Sequence, residues 1–535
     1  MNEELKLLKR ALNNDLILFF SVFVIGVLLR FRHLTSGLVE SHSQRQADLA
    51  MIASNFYSNG FDIFHPQIDW AGSFPGYIGM EFPLVPYLMA LLYALFGKHL
   101  FLGRLLSISF CALSTYYFYS LVRSYFTKRI ALISLVFFLF SPVSIFFSRT
   151  LISDNAMLCF SIGAIYFFSQ WTKNEKTLYF ILSLIFAMLA LLVKIPAAII
   201  GLPIAYLAWY KYGWSFLRMT RLWIFGFIVT IPSILWYVHA FTLAKNNYPF
   251  IMFGEGRWVW YSGFEIFLDV AFLKKVFVRL TAFLITPIGL IMSLAGAITT
   301  AWNKPNTYLF HWWAAGFFVF FIIGFPGQGH EYYQLQLLPV ASPFAALFCD
   351  ELMKYRGAYN SGILKPGLRT VIVICLIVGF LVSSLAIVET RYHSSIEKIL
   401  YEGGLSVQSI VPVNALILAA DWDNPVLIHA SKRRGWHFPG SKTYKDLVRT
   451  WSVSLLEKMR SQGASYFVAP IKLGMNRQIA SENFLQSVGR RILPPRDVDF
   501  LESHPAFKRY LDSHYKKVLS NRFVVVYDMR TKANM

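Results

Sequence analysis

Stretches such as 105–122, LLSISFCALSTYYFYSLV, and 371–388, VIVICLIVGFLVSSLAIV, recur along the chain without a single charge. Each is about as long as a helix that crosses the hydrocarbon layer of a bilayer. A backbone in lipid has no water to satisfy its N–H and C=O groups, so such runs specify helices. Hydropathy places spans near 16–31, 104–122, 130–147, 156–171, 178–194, 196–210, 222–240, 277–301, 308–325, 335–353 and 370–388. The expected fold is therefore an α-helical polytopic membrane protein of about eleven transmembrane helices.

Composition agrees, since 56% of the 535 residues are hydrophobic and only 15% charged, too apolar for a soluble domain. The net charge of +21 would suit nucleic acid, yet no nucleic-acid-binding motif accompanies it. In a membrane chain, Lys and Arg gather instead in cytoplasmic connections. With the N-terminus in the cytoplasm, those connections carry Arg123, Lys128 and Arg129, then Lys173 and Lys176, then Lys211, Arg218 and Arg221. Lys304 follows, and after it Lys354, Arg356, Lys365 and Arg369. The segment 83–97, PLVPYLMALLYALFG, is too short to span, and counting it would move every later basic loop outside. Residues 32–103 therefore read as one large outer loop with helices lying at the membrane surface. The first run follows Lys6, Lys9 and Arg10 without a small-residue cleavage site, and reads as a retained anchor. Cys111, Cys159, Cys349 and Cys375 lie in apolar runs and suggest neither a zinc site nor a disulfide framework.

An odd number of spans leaves everything after about residue 390 outside as well. There NALILAADW, PVLIHAS, ASYFVAP and RFVVVYDM read as short buried strands, and SVSLLEKMRSQG as an amphipathic helix ending in glycine. The expected organisation is a transmembrane module over 1–390 and a small extracytoplasmic α/β domain over 391–535. The basic clusters SKRRGWH and YKK in that domain read as a solvated face that favours anionic headgroups.

Charges in or beside spans are costly and point to function. On this topology the outer side collects Arg45, Asp48, Glu81, Arg104, Arg149, Asp154, Lys194, Arg257, His330 and Glu331. Cations at headgroup depth suit a lipid phosphate, and carboxylates among them suit a general base or the binding of sugar hydroxyls. Trp258, Trp260, Tyr261, Tyr332 and Tyr333 offer faces for sugar rings or prenyl chains. Together these parts fit glycosyl transfer from a lipid-phosphate sugar. Each residue also has a structural account. Arg45 and Asp48 form an i, i+3 ion pair on a helix face, Asp154 caps a helix, and Lys194 snorkels. On the same account Glu81 caps a surface helix or pairs with Arg104, and Arg149 neutralises Asp154.

The motifs RQADLAMIASNFYSNGFDIFHPQIDWAG and GMEFPLVPYLMALLYALFG are followed by GRLLSIS, SRTLISDNAML, LLVKIPAAIIGLP and GHEYYQLQLLPVASPFAAL. In this order they resemble the bacterial GT-C glycosyltransferases related to protein O-mannosyltransferases and to the aminoarabinose transferase that modifies lipid A. The resemblance covers most of 1–390. It implies a polyprenyl-phosphate sugar donor, a lipid, glycan or protein acceptor, inversion at the anomeric carbon, and an active site on the outer face of a bacterial inner membrane. By the same comparison Asp48 of RQAD is the base, with Glu81 of EFPL and Asp154 of SD as further catalytic acids. Arg45, Arg104, Arg149, Lys194 and Arg257 are then candidate contacts of the donor phosphate, and His42, His330, Glu331, Tyr332 and Tyr333 of the substrates. The relatives carry an Asp-Glu pair where this chain has His42 and Ser43, so the acid here is shifted along the helix to Asp48. The resemblance leaves room for a divalent metal ion, which no ligand cluster in the sequence supports independently. A transporter or flippase of lipid-linked glycans is the alternative from another class, and a polysaccharide polymerase or ligase the closer rival. A transporter predicts internal repeats and polar groups at mid-membrane, and neither is evident.

Overall fold

In the computed structural model, the described residues are 16–246, 270–301, 304–324, 331–354, 366–421, 423–439, 452–471 and 501–532. The helices in chain order are α1 (Leu16–Phe31), α2 (Ser43–Asn59), α3 (Leu84–Phe96), α4 (Leu100–Tyr125), α5 (Lys128–Phe140), α6 (Pro142–Phe147) and α7 (Asp154–Asn174). Next come α8 (Thr177–Val193), α9 (Gly201–Tyr212), α10 (Thr220–Asn246), α11 (Val270–Arg279), α12 (Thr286–Thr300), α13 (Tyr308–Gly324) and α14 (Leu338–Lys354). The last are α15 (Pro366–Glu389), α16 (Ser395–Ile410), α17 (Val426–Ser431), α18 (Val453–Ser461) and α19 (Pro505–His514). The strands are β1 (Leu416–Ala419), β2 (Gly435–His437), β3 (Ala464–Pro470), β4 (Lys516–Ser520) and β5 (Val524–Asp528). They belong to two compact units. One is made of Met1–Leu34, Arg104–Trp236 and Glu255–Val388, the other of Thr35–Gly103, Tyr237–Gly254 and Glu389–Met535.

The first unit is helical, as the apolar runs require. Among the described residues, four helices are long and apolar enough to cross a bilayer: Leu100–Tyr125, Thr220–Lys245, Glu331–Lys354 and Gly367–Glu389. Phe277–Leu284 and Thr286–Thr300 add a fifth if that pair, bent by 109°, is one span. Hydropathy alone expects eleven, and local chemistry explains several of the differences. The run 130–147 is divided at Ser141, which is extended and whose hydroxyl accepts from Ser144 N, while Pro142 has no N–H to continue the ladder. The run 196–210 opens with a 3-10 turn, Ile195–Ile200, built around Pro196. The bend in the last pair falls where Thr286 takes a positive φ of 66° ahead of Pro287. Packing inside the unit is largely aromatic, as where Phe118 stacks on Phe138 at 4.3 Å.

The second unit is built on a five-stranded sheet of order β2-β1-β3-β5-β4. β2, β1 and β3 run parallel, and β5 and β4 are antiparallel additions. Side chains alternate across it as the pleat dictates. Ile417, Ala419, Tyr466, Val468, Val524 and Val526 face one core, while Leu418, Phe467, Val525 and Tyr527 face the other. Helices α18 and α19 supply Leu455, Leu456, Met459, Phe507 and Leu511 to the second core. The first is covered by α16 and α17 and also by Met51, Ile52 and Phe56 of α2. The segment expected as the membrane module's outer loop thus shares a core with the C-terminal sheet. Met51, Ile52 and Phe56 are buried there because strand residues offer them an apolar face. PVLIHAS, expected as a strand, is mostly helix α17. Adjacent parallel strands need a crossover, and α17 makes it between β1 and β2.

Candidate active site

In the first unit the ends of two helices bring opposite charges together. Asp154 opens α7, where a carboxylate is favoured by the helix dipole, and Ser153 rather than Asp154 holds the cap position. Lys194 follows the last turn of α8, where a cation is favoured for the same reason. Its Nζ lies 2.6 Å from Asp154 Oδ2, with the two side chains 8% and 1% exposed. The ammonium also sits 4.8 Å from the ring centroids of both Tyr332 and Tyr333. Lys194 therefore does not snorkel: a carboxylate and two π-faces compensate its burial. Glu331, Tyr332 and Tyr333 begin the 3-10 turn Glu331–Leu337 and are buried. The same turn carries Gln334 and Gln336, whose buried amide groups have no hydrogen-bond partner among the described residues. The sequence did not single these out, because a glutamine carries no charge to betray its position.

Two of the expected phosphate contacts have structural work in this unit. Arg104 Nη1 donates to the carbonyls of His33 and Leu34, at 3.2 and 2.8 Å, and Arg149 Nη2 donates to that of His33 at 3.0 Å. Both buried guanidinium groups thus fasten the chain leaving α1. Arg30, buried at the end of α1, donates to Leu139 O and to the hydroxyls of Ser144 and Ser148.

In the second unit α2 carries the first-loop candidates. His42 takes a left-handed conformation at its N-cap without a side-chain cap bond. Arg45 pairs with Glu81 of the segment before α3. Asp48 is 8% exposed, and its Oδ1 accepts from the indole N–H of Trp70 at 3.1 Å. Beside it lie residues the sequence passed over. The Trp70 ring packs on His437, and His437 Nδ1 lies 2.7 Å from Asp421 Oδ1. Burial raises the Asp421 carboxyl to about 6. Burial also opposes a charge on His437, but the neighbouring Asp421 outweighs it and moves that group up as well. The pair therefore holds its protons more tightly than isolated groups do. The basic cluster SKRRGWH is solvated only in part, with Lys432 and Arg434 exposed. His437 is buried, and the Arg433 guanidinium bonds to Val411 O and Gln408 O.

Arg257 and His330, with Trp258, Trp260 and Tyr261, lie outside the described residues. Among those described, no three His, Cys, Asp or Glu side chains converge as metal ligands.

Residues 80–236 match the family described as dolichyl-phosphate-mannose-protein mannosyltransferase. No curated protein matches the chain by sequence. Among solved structures, ArnT from Cupriavidus metallidurans bound to undecaprenyl phosphate is similar, with a TM-score of 0.63 at 13% identity, over 96% of this chain and 97% of that one. The apo oligosaccharyltransferase of Archaeoglobus fulgidus gives a TM-score of 0.56 at 14% identity, over 84% of this chain and 69% of that one. The mycobacterial arabinofuranosyltransferase AftD gives 0.53 at 12% identity, over 95% of this chain and 41% of that one. The match over 80–236 and these architectures agree with the order of motifs in the sequence, and the solved structures show that the chain is an integral membrane protein with the fold they share.

Proposed function

We propose that the protein is an inverting glycosyltransferase that moves a sugar from a polyprenyl-phosphate donor to an acceptor hydroxyl on the outer face of the membrane. Asp48 takes the proton of the acceptor hydroxyl. The oxygen so activated attacks the anomeric carbon from the side opposite the phosphate. The bond from that carbon to the phosphate oxygen breaks, and its electron pair leaves with the polyprenyl phosphate. Lys194 is the principal cation for the departing phosphate, with Arg257 as a further contact. Arg104 and Arg149 hold the turn after α1, close in sequence to where the first-loop candidates begin. Glu81 orients Arg45 for the donor, and Asp154 orients Lys194. Tyr332, Tyr333 and Glu331, with His42 and His330, contact the sugar or the prenyl chain. The unsatisfied amides of Gln334 and Gln336 suit sugar hydroxyls or phosphate oxygens.

The observation that carries this reading is the buried Lys194–Asp154 pair set against the faces of Tyr332 and Tyr333. A cation so deeply held, in a helical membrane unit, favours an anionic headgroup over bulk water. The experiment is turnover by the purified full chain, supplied with polyprenyl-phosphate sugars and candidate acceptors and followed as released polyprenyl phosphate. Asp48→Asn is expected to abolish release while donor binding persists. Unchanged release in that variant removes Asp48 from the chemistry.

A further inference from the structure

Asp421 lies just beyond β1 and His437 ends β2, at the carboxyl ends of neighbouring parallel strands. That edge of an α/β sheet is where ligands and reacting groups collect. The two side chains are bonded at 2.7 Å and almost fully enclosed, Asp421 at 0% and His437 at 4% exposure. The His437 ring lies 5.2 Å from the Trp70 ring, centroid to centroid, and the Trp70 indole donates to Asp48. Trp70 is itself clamped to the sheet. Gly435 N of β2 donates to Asp69 O at 2.9 Å, and Gly72 N donates to Gly435 O at 2.7 Å. An unbroken series of contacts therefore runs Asp421, His437, Trp70, Asp48, all within the second unit.

We infer that the Asp421–His437 pair positions Asp48 through Trp70 and, as an imidazolium, keeps the Asp48 carboxylate ionised for proton abstraction. The inference rests on the reading of Asp48 as the base. It gives the C-terminal sheet a part in catalysis, with Asp421, His437 and Trp70 as positioning residues. Among the charged groups acting on His437, the largest are Asp421, Asp423 and Asp48. All three are carboxylates, so each stabilises the protonated ring, and the ring in turn stabilises each carboxylate as an anion. Asp421 Oδ2 is buried with no hydrogen-bond partner among the described residues, which leaves His437 as the group that balances it. A packing role alone requires none of this charge arrangement.

The test uses the full chain in detergent, labelled with 5-fluorotryptophan, and follows the Trp70 resonance by fluorine NMR as pH is lowered. Trp70→Phe identifies the resonance by its loss, and Asp48→Asn removes the acid titration that it reports. In His437→Gln the midpoint of that titration is expected to rise by about one pH unit, because a cation beside the carboxylate is gone. Asp421→Asn keeps the imidazole in place and serves as the second variant if His437→Gln does not fold. It is expected to move the midpoint the same way, since the imidazole then loses its proton more readily. A midpoint unchanged in both variants overturns the inference. No substrate enters this measurement. Failure of the base reading shows separately, as unchanged turnover in Asp48→Asn, and withdraws the catalytic meaning of the series even where the midpoint moves.

Discussion

Lys194 shows what a single residue contributes when its setting is taken literally. Its amine is buried, paired with Asp154 and set against the rings of two tyrosines. Lys194→Met deletes the cation while Asp154 stays enclosed, and removing one partner of a buried pair costs about 3–5 kcal/mol. Thermal unfolding in detergent is expected to show that loss. The double variant Lys194→Met, Asp154→Leu removes both charges, which is close to neutral for stability, and it is expected to unfold near the wild-type temperature while remaining inactive. Recovery of turnover together with stability would make the pair purely structural. Lys194 and Asp154 were legible in the sequence because a charge inside an apolar run stands out against its neighbours. Trp70 and His437 were not. The first is one of 14 tryptophans, and the second closes a basic cluster. Only the partners of their ring nitrogens distinguish them from ordinary core residues.

At the scale of elements, periodicity reveals length and amphipathic character but not partners. α18 is where SVSLLEKMRSQG predicts it, with Ser452 capping at Leu455 N and Gly463 at a φ of 106° beyond its end. β1, β3 and β5 also fall within their expected runs. β2, with three residues, has too little alternation to read, and α17 shows that a short buried apolar run does not distinguish strand from helix. The 69–72 segment carries no periodic signal at all, yet it is bonded to β2 on both sides of Trp70. Gly72 makes that possible. Its φ is 61°, and a Cβ there would stand 1.8 Å from Trp436 Cε2. Gly72→Ala must both strain the backbone and displace a rigid buried ring, so a loss of about 2 kcal/mol is expected. Hydrogen exchange in the full chain checks it: protection of β2 should fall, with little change in α4 or α15. Unaltered protection of β2 would show that the segment is not held as the hydrogen bonds indicate.

At the scale of the whole molecule, hydropathy exposed a helical membrane architecture, and the order of motifs pointed to the fold that the similar solved structures share. The assignment of 35–103 to the same unit as the C-terminal sheet stayed hidden, because that contact is long-range and depends on which apolar faces meet. The second unit has a further collective property, set by its buried titratable groups. Burial pushes the Glu397 carboxyl up to about 7 and that of Asp421 up to about 6. Groups that bind protons more tightly when folded make the unit less stable as pH rises from their ordinary values through these. The upward shift of His437 acts in the same direction: its contribution is complete below 6.5 and is lost as pH climbs through the folded value. His429, pushed down to about 4 by burial and by Lys98 and Lys432, acts oppositely between 4 and 6.5. Two carboxyls outweigh one imidazole there. Below that window Glu457 dominates. Burial raises its carboxyl, but bonds from Tyr515, Tyr510 and Arg460 prevail and bring it down to about 2. Its contribution is present above 4.5 and is lost as pH falls toward 2. The second unit should therefore be most stable on the acid side of neutrality, at about pH 5. Protection of β3 and β5 amides in the full chain, corrected for the intrinsic exchange rate, should peak there and decline both toward pH 3 and toward pH 8. Protection that rises steadily to pH 8 would mean that these carboxyls remain ionised in the folded unit, and that burial does not govern their protonation.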